Sequence, residues 1–157
     1  LNYASNEGQY PILCDTSPCT KKMLESFEGN LKIYEPVEFT LEYLINKLEI
    51  KKIDEPILIH STCSSRKMGL HNKFMQLANM CSTEVISPAD VKCCGFAGDR
   101  GFNFPELNES ALRNLKSAIP ENTKLAFSTS KTCEIGLSEH SGIDYNSILY
   151  LVNRCSS

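Results

Sequence analysis

Short apolar runs alternate with amphipathic stretches along the 157-residue chain. Apolar runs bounded by polar or turn residues predict strands at Pro11–Leu13, Leu31–Tyr34, Pro56–His60, Glu84–Ile86 and Lys124–Phe127. Between them, apolar residues at helical spacing predict helices over residues 37–48, 70–81 and about 105–119. This alternation predicts an α/β fold with a mainly parallel sheet flanked by helices.

Composition narrows the classes of protein to consider. The chain is 41% hydrophobic and 22% charged, with a formal net charge of −3. These values are typical of a folded globular domain, and they argue against nucleic acid or an anionic membrane surface as the main partner, since both need a basic surface. No apolar run approaches the roughly 18 residues of a transmembrane segment. Residues 1–10 lack the features of a secretory signal, so we expect a cytoplasmic, reducing compartment.

Eight cysteines are the unusual feature of this composition. Cys63 follows the third predicted strand and Cys133 follows the fifth, while the adjacent pair Cys93 and Cys94 follows the fourth. The carboxyl ends of parallel strands lie along one edge of a sheet, so we expect these thiols to converge there. Four thiolates suit an iron–sulfur cluster or Zn²⁺, because both favour soft sulfur ligands.

The residues around these cysteines support thiolate chemistry. Serines and threonines flank Cys63 and Cys133, which predicts that each lies in the first turn of a helix, where free N–H groups and the helix dipole lower a thiol pKa. Gly95 is expected to let the backbone approach a bulky inorganic centre. Asp99 and Arg100 are candidates to tune the charge of a bound cofactor, and an ordinary surface ion pair is the alternative.

An internal repeat accounts for two more of the cysteines. Residues 12–20 (ILCDTSPCT) and 126–134 (AFSTSKTCE) each read as an apolar strand end, a hydroxyl-rich turn and a cysteine. We therefore expect residues 1–50 to be the C-terminal part of a first repeat and residues 51–157 to be a second, complete repeat. Cys19, and less directly Cys14, then mark the remnant of a second site. The other two cysteines, Cys81 and Cys155, are expected to be structural or incidental thiols.

Three strings carry a resemblance to a known family: CCGFAGDRGF (93–102), STSKTCEIGLS (128–138) and DTSPCT (15–20). The order of a lone cysteine, Cys-Cys-Gly and a further cysteine resembles the cysteine-rich CCG domain of iron–sulfur subunits in heterodisulfide reductase, glycolate oxidase and lactate-utilisation enzymes. The wider strings look like the C-terminal iron–sulfur region of FAD-dependent D-lactate dehydrogenases. The resemblance covers most of residues 11–152. Gly136 departs from it, standing where the general family pattern has the second cysteine of a C-x-x-C pair.

The resemblance implies two tandem CCG repeats and an electron relay. The chain is then an iron–sulfur module, expected to hold a 4Fe-4S cluster, of a larger flavin-dependent D-lactate or D-2-hydroxy acid dehydrogenase. It passes electrons from FAD towards a quinone or cytochrome acceptor, and alone it is expected to be inactive. Its expected partner is the FAD-binding domain of the same polypeptide or complex, which also holds the FAD. The full-length protein is expected in the cytoplasm or peripherally at the cytoplasmic membrane face.

A structural alternative stays open at this point. The same four cysteines could hold Zn²⁺ or remain free thiols, in a domain that docks a partner without a redox role. Zinc has no redox chemistry, so only an iron–sulfur site permits electron transfer. Metal content and visible absorption therefore discriminate between the two hypotheses.

Overall fold

The computed structural model describes residues 1–27 and 31–156 and confirms an α/β fold with parallel sheets flanked by helices. The strands are β1 (Ile12–Leu13), β2 (Ile33–Tyr34), β3 (Ile57–Ile59), β4 (Val85–Ile86), β5 (Leu125–Ser128) and β6 (Tyr145–Ser147). The main sheet has the order β4-β3-β5-β6, and every pairing in it is parallel. A separate parallel pair joins β1 to β2.

Helices connect most of these strands. They are α1 (Ser17–Ser26), α2 (Pro36–Phe39), α3 (Cys63–Lys67), α4 (His71–Cys81), α5 (Arg100–Asn103), α6 (Pro105–Leu112), α7 (Lys131–Ser141) and α8 (Ile148–Cys155). Helix α2 continues as a π-helical turn, Thr40–Leu44, and a 3-10 turn, Ile45–Lys47. A further 3-10 turn, Lys116–Ala118, follows α6.

The main sheet lies between two layers of apolar side chains. Successive residues of a strand point to opposite faces, so Ile57 and Ile59 pack on one side of β3 and Leu58 packs on the other. The first face is covered mainly by α4 and α8, and the second by α6, α7 and the loop that contains Cys94. Strand β3 is fully buried because both of its faces are covered.

Several elements differ from the sequence prediction, and helices α5 and α8 are among those not predicted. Strand β6 was not predicted, because it is a short polar edge strand in which Tyr145 is the buried residue. The helix expected over 105–119 ends at Leu112, and the remaining apolar residues continue through a turn and the 3-10 segment. Within the described ranges, no helix combines the length and apolarity needed to cross a bilayer.

Candidate metal centre

Four cysteine side chains, two from the first turns of helices and two from one loop, line one cavity at the carboxyl ends of the strands. Cys63, Cys93, Cys94 and Cys133 share this cavity of about 320 Å³. The Sγ atoms of Cys94 and Cys133 lie 2.8 Å apart, and Cys93 is in hydrogen-bonding contact with Cys63 and with Cys94. Other parts of its wall come from Pro18, Lys67, Phe96 and Thr132. The structure thus brings the four thiols together as a continuous row; their role as metal ligands stays a prediction.

Helix N-termini present two of these thiols. Helix α3 begins at Cys63, and the hydroxyl of Thr62 caps it by accepting a hydrogen bond from the N–H of Ser65 at 3.1 Å. Cys133 is the third residue of α7, which follows directly on β5. The predicted placement of both cysteines in a first helical turn is therefore correct. Deprotonated sulfur at either position would face free N–H groups and the positive end of a helix dipole.

Two of the four cavity thiols, Cys63 and Cys94, have raised pKa values. The hydrogen bond to Cys93, followed by burial, raises the pKa of Cys63 far above its ordinary value. The hydrogen bond to Cys133 is the main cause that raises the pKa of Cys94 to about 12. The helix-dipole prediction of a lowered thiol pKa is therefore wrong for Cys63, because the hydrogen bond to Cys93 and burial both favour its protonated form. No group of three or more His, Cys, Asp or Glu side chains, among the residues described, is arranged to hold a single metal ion.

The turn at Cys93 and Cys94 is held from behind by helix α6. Gly95 has a φ of +80°, and a Cβ there would overlap the Leu107 carbonyl and come within 2.9 Å of the Asn108 Cα. The amide group of buried Asn108 donates to the carbonyl of Cys94 at 2.7 Å. Gly95 therefore allows a close approach to α6, and the space beside it is filled by protein backbone. Sequence reasoning missed Asn108, because a single amide on a helix carries no distinguishing pattern.

Several other candidate residues lie outside the cavity wall. Asp99 and Arg100 are exposed at the start of α5 and do not line the cavity, so their role in cofactor binding stays a prediction. Cys19 is exposed in the first turn of α1, and its neighbour Pro18 contacts the cavity instead. His60, three residues before Cys63 in the sequence, is buried just after β3, and both of its ring nitrogens lack a hydrogen-bond partner among the described residues. Burial lowers the pKa of His60 to about 4.

Comparison with known proteins identifies the family of this site. Residues 57–138, just over half of the chain, match the family model of the CCG cysteine-rich domain, and the match includes all four cavity cysteines. The chain belongs to the CCG family.

Two curated relatives of this CCG protein are named as subunits of a dehydrogenase. The chain is similar to one of the subunits of anaerobic glycerol-3-phosphate dehydrogenase from Escherichia coli K12, and to the same protein from strain O157:H7, each 21% identical over 138 residues. The alignment covers 79% of this chain and 35% of each relative. The chain therefore spans about a third of the length of these relatives.

In this CCG domain, the ring of Phe96 fills the space beside Gly136. A Cβ at Gly136 would lie 2.6 Å from Cε2 of Phe96, and a Cβ at Gly101 would lie 2.7 Å from Cδ1 of the same ring. The Phe96 ring is thus packed between two glycines, on α5 and α7, and also forms part of the cavity wall. Position 136, where the general family pattern has a further cysteine, is glycine here. The Phe96 ring occupies the space that a side chain at this position would need.

A buried carboxyl joins the N-terminal segment to the CCG domain. The hydroxyl groups of Ser17 and Ser65 donate to Glu35 Oε1 at 2.7 and 3.2 Å, and the N–H of Val37 donates to Oε2 at 2.8 Å. Ser17 Oγ also lies 2.6 Å from Thr129 Oγ1. The carboxyl is fully buried and forms no salt bridge among the described residues, and burial is the main cause that raises its pKa. This network ties α1, α3 and the residue after β5 together.

Glu35→Gln is expected to change how stability depends on pH. Below the ordinary glutamate pKa of 4.5, both states of the wild type hold this proton. As the pH rises towards the raised pKa of the folded state, the unfolded chain loses the proton first, so wild-type stability falls by about 1.4 kcal/mol for each unit of pKa difference. Glutamine has no proton to lose in this pH range, so the variant does not lose stability in this way. The measurement is urea unfolding at pH 5, 6.5 and 8. The free energy of unfolding of the variant, relative to that of the wild type, should increase as the pH rises.

Exposed Glu109 on α6 provides the control for this measurement. Glu109→Gln should leave the pH trend of the wild type unchanged. A difference between Glu35→Gln and wild type that stays constant from pH 5 to 8 would contradict a raised pKa at Glu35.

Proposed function

We propose that this chain is an iron–sulfur electron-transfer module of a flavin-dependent dehydrogenase. The observation that carries the proposal is the row of four thiols from Cys63, Cys93, Cys94 and Cys133 in one cavity at the strand ends. An iron–sulfur cluster bound there would supply one-electron storage and transfer. Membership of the CCG family and similarity to a component of a dehydrogenase support this assignment.

The donor chemistry of the cavity fits such a cluster. Carboxylate and imidazole groups are absent from the described lining, and the ligand atoms on offer are the four cysteine sulfurs. The N–H of Gly95 lies 3.4 Å from Cys93 Sγ and donates to it, and the ammonium group of Lys67 belongs to the cavity wall. Once a metal has displaced the thiol protons, both groups would stabilise the negative charge of the bound sulfurs. The apolar side chains of Phe96 and Pro18 form another part of the wall.

The finer proposal concerns the enzyme to which the module belongs. The motif resemblance favours a D-lactate or other D-2-hydroxy acid dehydrogenase, with FAD held by another domain of the same polypeptide or complex and a quinone or cytochrome as acceptor. The curated relatives are named for glycerol-3-phosphate, so the class of hydroxy compound is open to test. Location in the cytoplasm or at the cytoplasmic membrane face follows from the same proposal.

The order of strands and helices supports an internal repeat in this chain. The segment β1-α1-β2-α2 has the same order as β5-α7-β6-α8, and both strand pairs are parallel. Cys19 is the third residue of α1, as Cys133 is the third residue of α7. We therefore propose residues 1–50 as the end of a first repeat, with Cys19 as the remnant of its site, and residues 51–157 as the second repeat.

Anaerobic purification tests the proposed function directly. We expect about four iron atoms and a similar amount of acid-labile sulfide per chain, with a broad visible absorption band that dithionite bleaches. Stoichiometric zinc without such a band, after anaerobic reconstitution with iron and sulfide, would contradict the electron-transfer proposal and favour a structural domain. Reconstitution is part of the design, so that loss of a cluster during purification does not count against the proposal.

A further inference from the structure

A second pair of cysteines lies in contact at the opposite end of the sheet from the four-thiol cavity. Cys81 is the last residue of α4 and Cys155 is the last residue of α8. The sulfur of Cys155 lies 3.2 Å from the carbonyl oxygen of Cys81, and the two thiols are themselves in hydrogen-bonding contact. Their exposed fractions are 0% and 3%, and both belong to the core between the sheet, α4 and α8. These thiols are therefore a pair and not two separate buried cysteines.

The backbone around this pair fixes the two helix ends relative to each other. The N–H of Ile53 donates to the carbonyl of Cys81 at 2.9 Å, and the N–H of Lys51 donates to the carbonyl of Cys155 at 2.8 Å. Bridges from Ile50 to Ser156 and from Ile53 to Ser82 continue this arrangement. The segment before β3 thus donates hydrogen bonds to the backbone carbonyls of both cysteines. These bonds keep the two helix ends, and with them the two sulfurs, close together without a covalent bond.

We propose that Cys81 and Cys155 are a site of disulfide formation, with a low-molecular-weight disulfide as the oxidant. The thiolate of Cys155 attacks one sulfur of the oxidant, releases one small thiol and forms a mixed disulfide. The thiolate of Cys81 then attacks the Cys155 sulfur and releases the second small thiol. Two protein thiols lose two electrons and two protons in total, and the oxidant becomes two thiols. The product links α4 to α8 across 74 residues of sequence separation.

The order of attack follows from position. Both cysteines end their helices, where the backbone opens more readily than in helix interiors, and of the two Cys155 is the more exposed, at 3% against 0%. Cys81 is fully buried, and burial raises the pKa of both thiols, that of Cys81 to about 12. Reaction should therefore begin at Cys155 during opening of the last helical turn and be slower than modification of exposed Cys19. This inference does not depend on the proposed iron–sulfur function.

Peptide mapping tests the proposal without a variant. The full chain is incubated with oxidised glutathione at pH 8, quenched in acid, alkylated under denaturing conditions and digested with trypsin without reduction. Cleavage after Lys73, Lys92 and Arg154 places the two cysteines in peptides 74–92 and 155–157, neither of which contains another cysteine. We expect a linked pair of these peptides that disappears on reduction. Recovery of both cysteines as alkylated thiols, or each with glutathione and no link between them, would overturn the proposal.

Thermal unfolding provides the second readout. Closing a loop of this length is expected to raise the Tm of the oxidised chain by on the order of 10 °C over the reduced chain. Cys155→Ser should abolish both the link and the shift, while its hydroxyl keeps a polar atom beside the Cys81 carbonyl. Cys14→Ser, which removes a half-buried thiol outside this pair, should retain both. An equal shift in Cys155→Ser would contradict the assignment.

Discussion

Cys94→Ser is expected to reduce the iron content of the reconstituted protein by at least about tenfold. Cys94 is buried, its sulfur touches that of Cys133, and it lies between Cys93 and Cys133 in the row of thiols. A serine hydroxyl at this position is a harder and much less acidic ligand, so it should not replace a thiolate on iron. Iron and sulfide analysis, together with the dithionite-sensitive absorption band, measures the effect.

The matched control makes the same chemical change in the other buried cysteine pair. Cys81→Ser replaces a fully buried thiol at the opposite end of the sheet and should retain wild-type iron content. Far-UV circular dichroism of both variants establishes that each is folded. Equal iron content in the folded Cys94→Ser and Cys81→Ser variants would remove Cys94 from the proposed ligand set.

Elements with many buried apolar residues were predictable from sequence. Strand β3 and helix α4 occur within one residue of their predicted positions, because apolar runs and helical spacing report directly on burial. Strand β6 was not predictable in this way, since it pairs along the edge of the sheet through its backbone and has a polar sequence. The sequence around residues 37–48 indicates a helix correctly but does not show its change to π and 3-10 geometry.

The cavity was also predictable from sequence only in part. Convergence of the four thiols follows from strand order, because parallel strands place their carboxyl ends at one edge. Hydrogen bonding among the thiols does not follow from sequence, since it depends on contacts between side chains up to 39 positions apart. The Glu35 network was missed for a similar reason: Ser17 and Thr129 are 112 positions apart, and each looks like an ordinary turn residue.

Gly95→Ala is expected to destabilise the fold by roughly 3 kcal/mol, which corresponds to a fall in Tm of about 10 °C. Two effects add at this position. Alanine is strained at a φ of +80°, and its methyl group would overlap the backbone of Leu107 and Asn108. Helix α6 must then move away, which also breaks the hydrogen bond from Asn108 to the Cys94 carbonyl. We therefore expect lower stability and lower iron occupancy together, measured by thermal unfolding and by iron analysis.

Gly98→Ala separates the two causes, because it lies in the same loop and lines the same cavity. Gly98 has a φ of +88°, but a Cβ there meets no atom within 4 Å, so only the backbone strain of about 1 kcal/mol applies. Its Tm should fall by roughly 2–4 °C with little loss of iron. If both variants lose the same stability, contact with α6 is not what requires glycine at position 95. A larger loss in Gly95→Ala, accompanied by lower iron occupancy, would establish that α6 holds the Cys93–Cys94 turn in the geometry needed for binding.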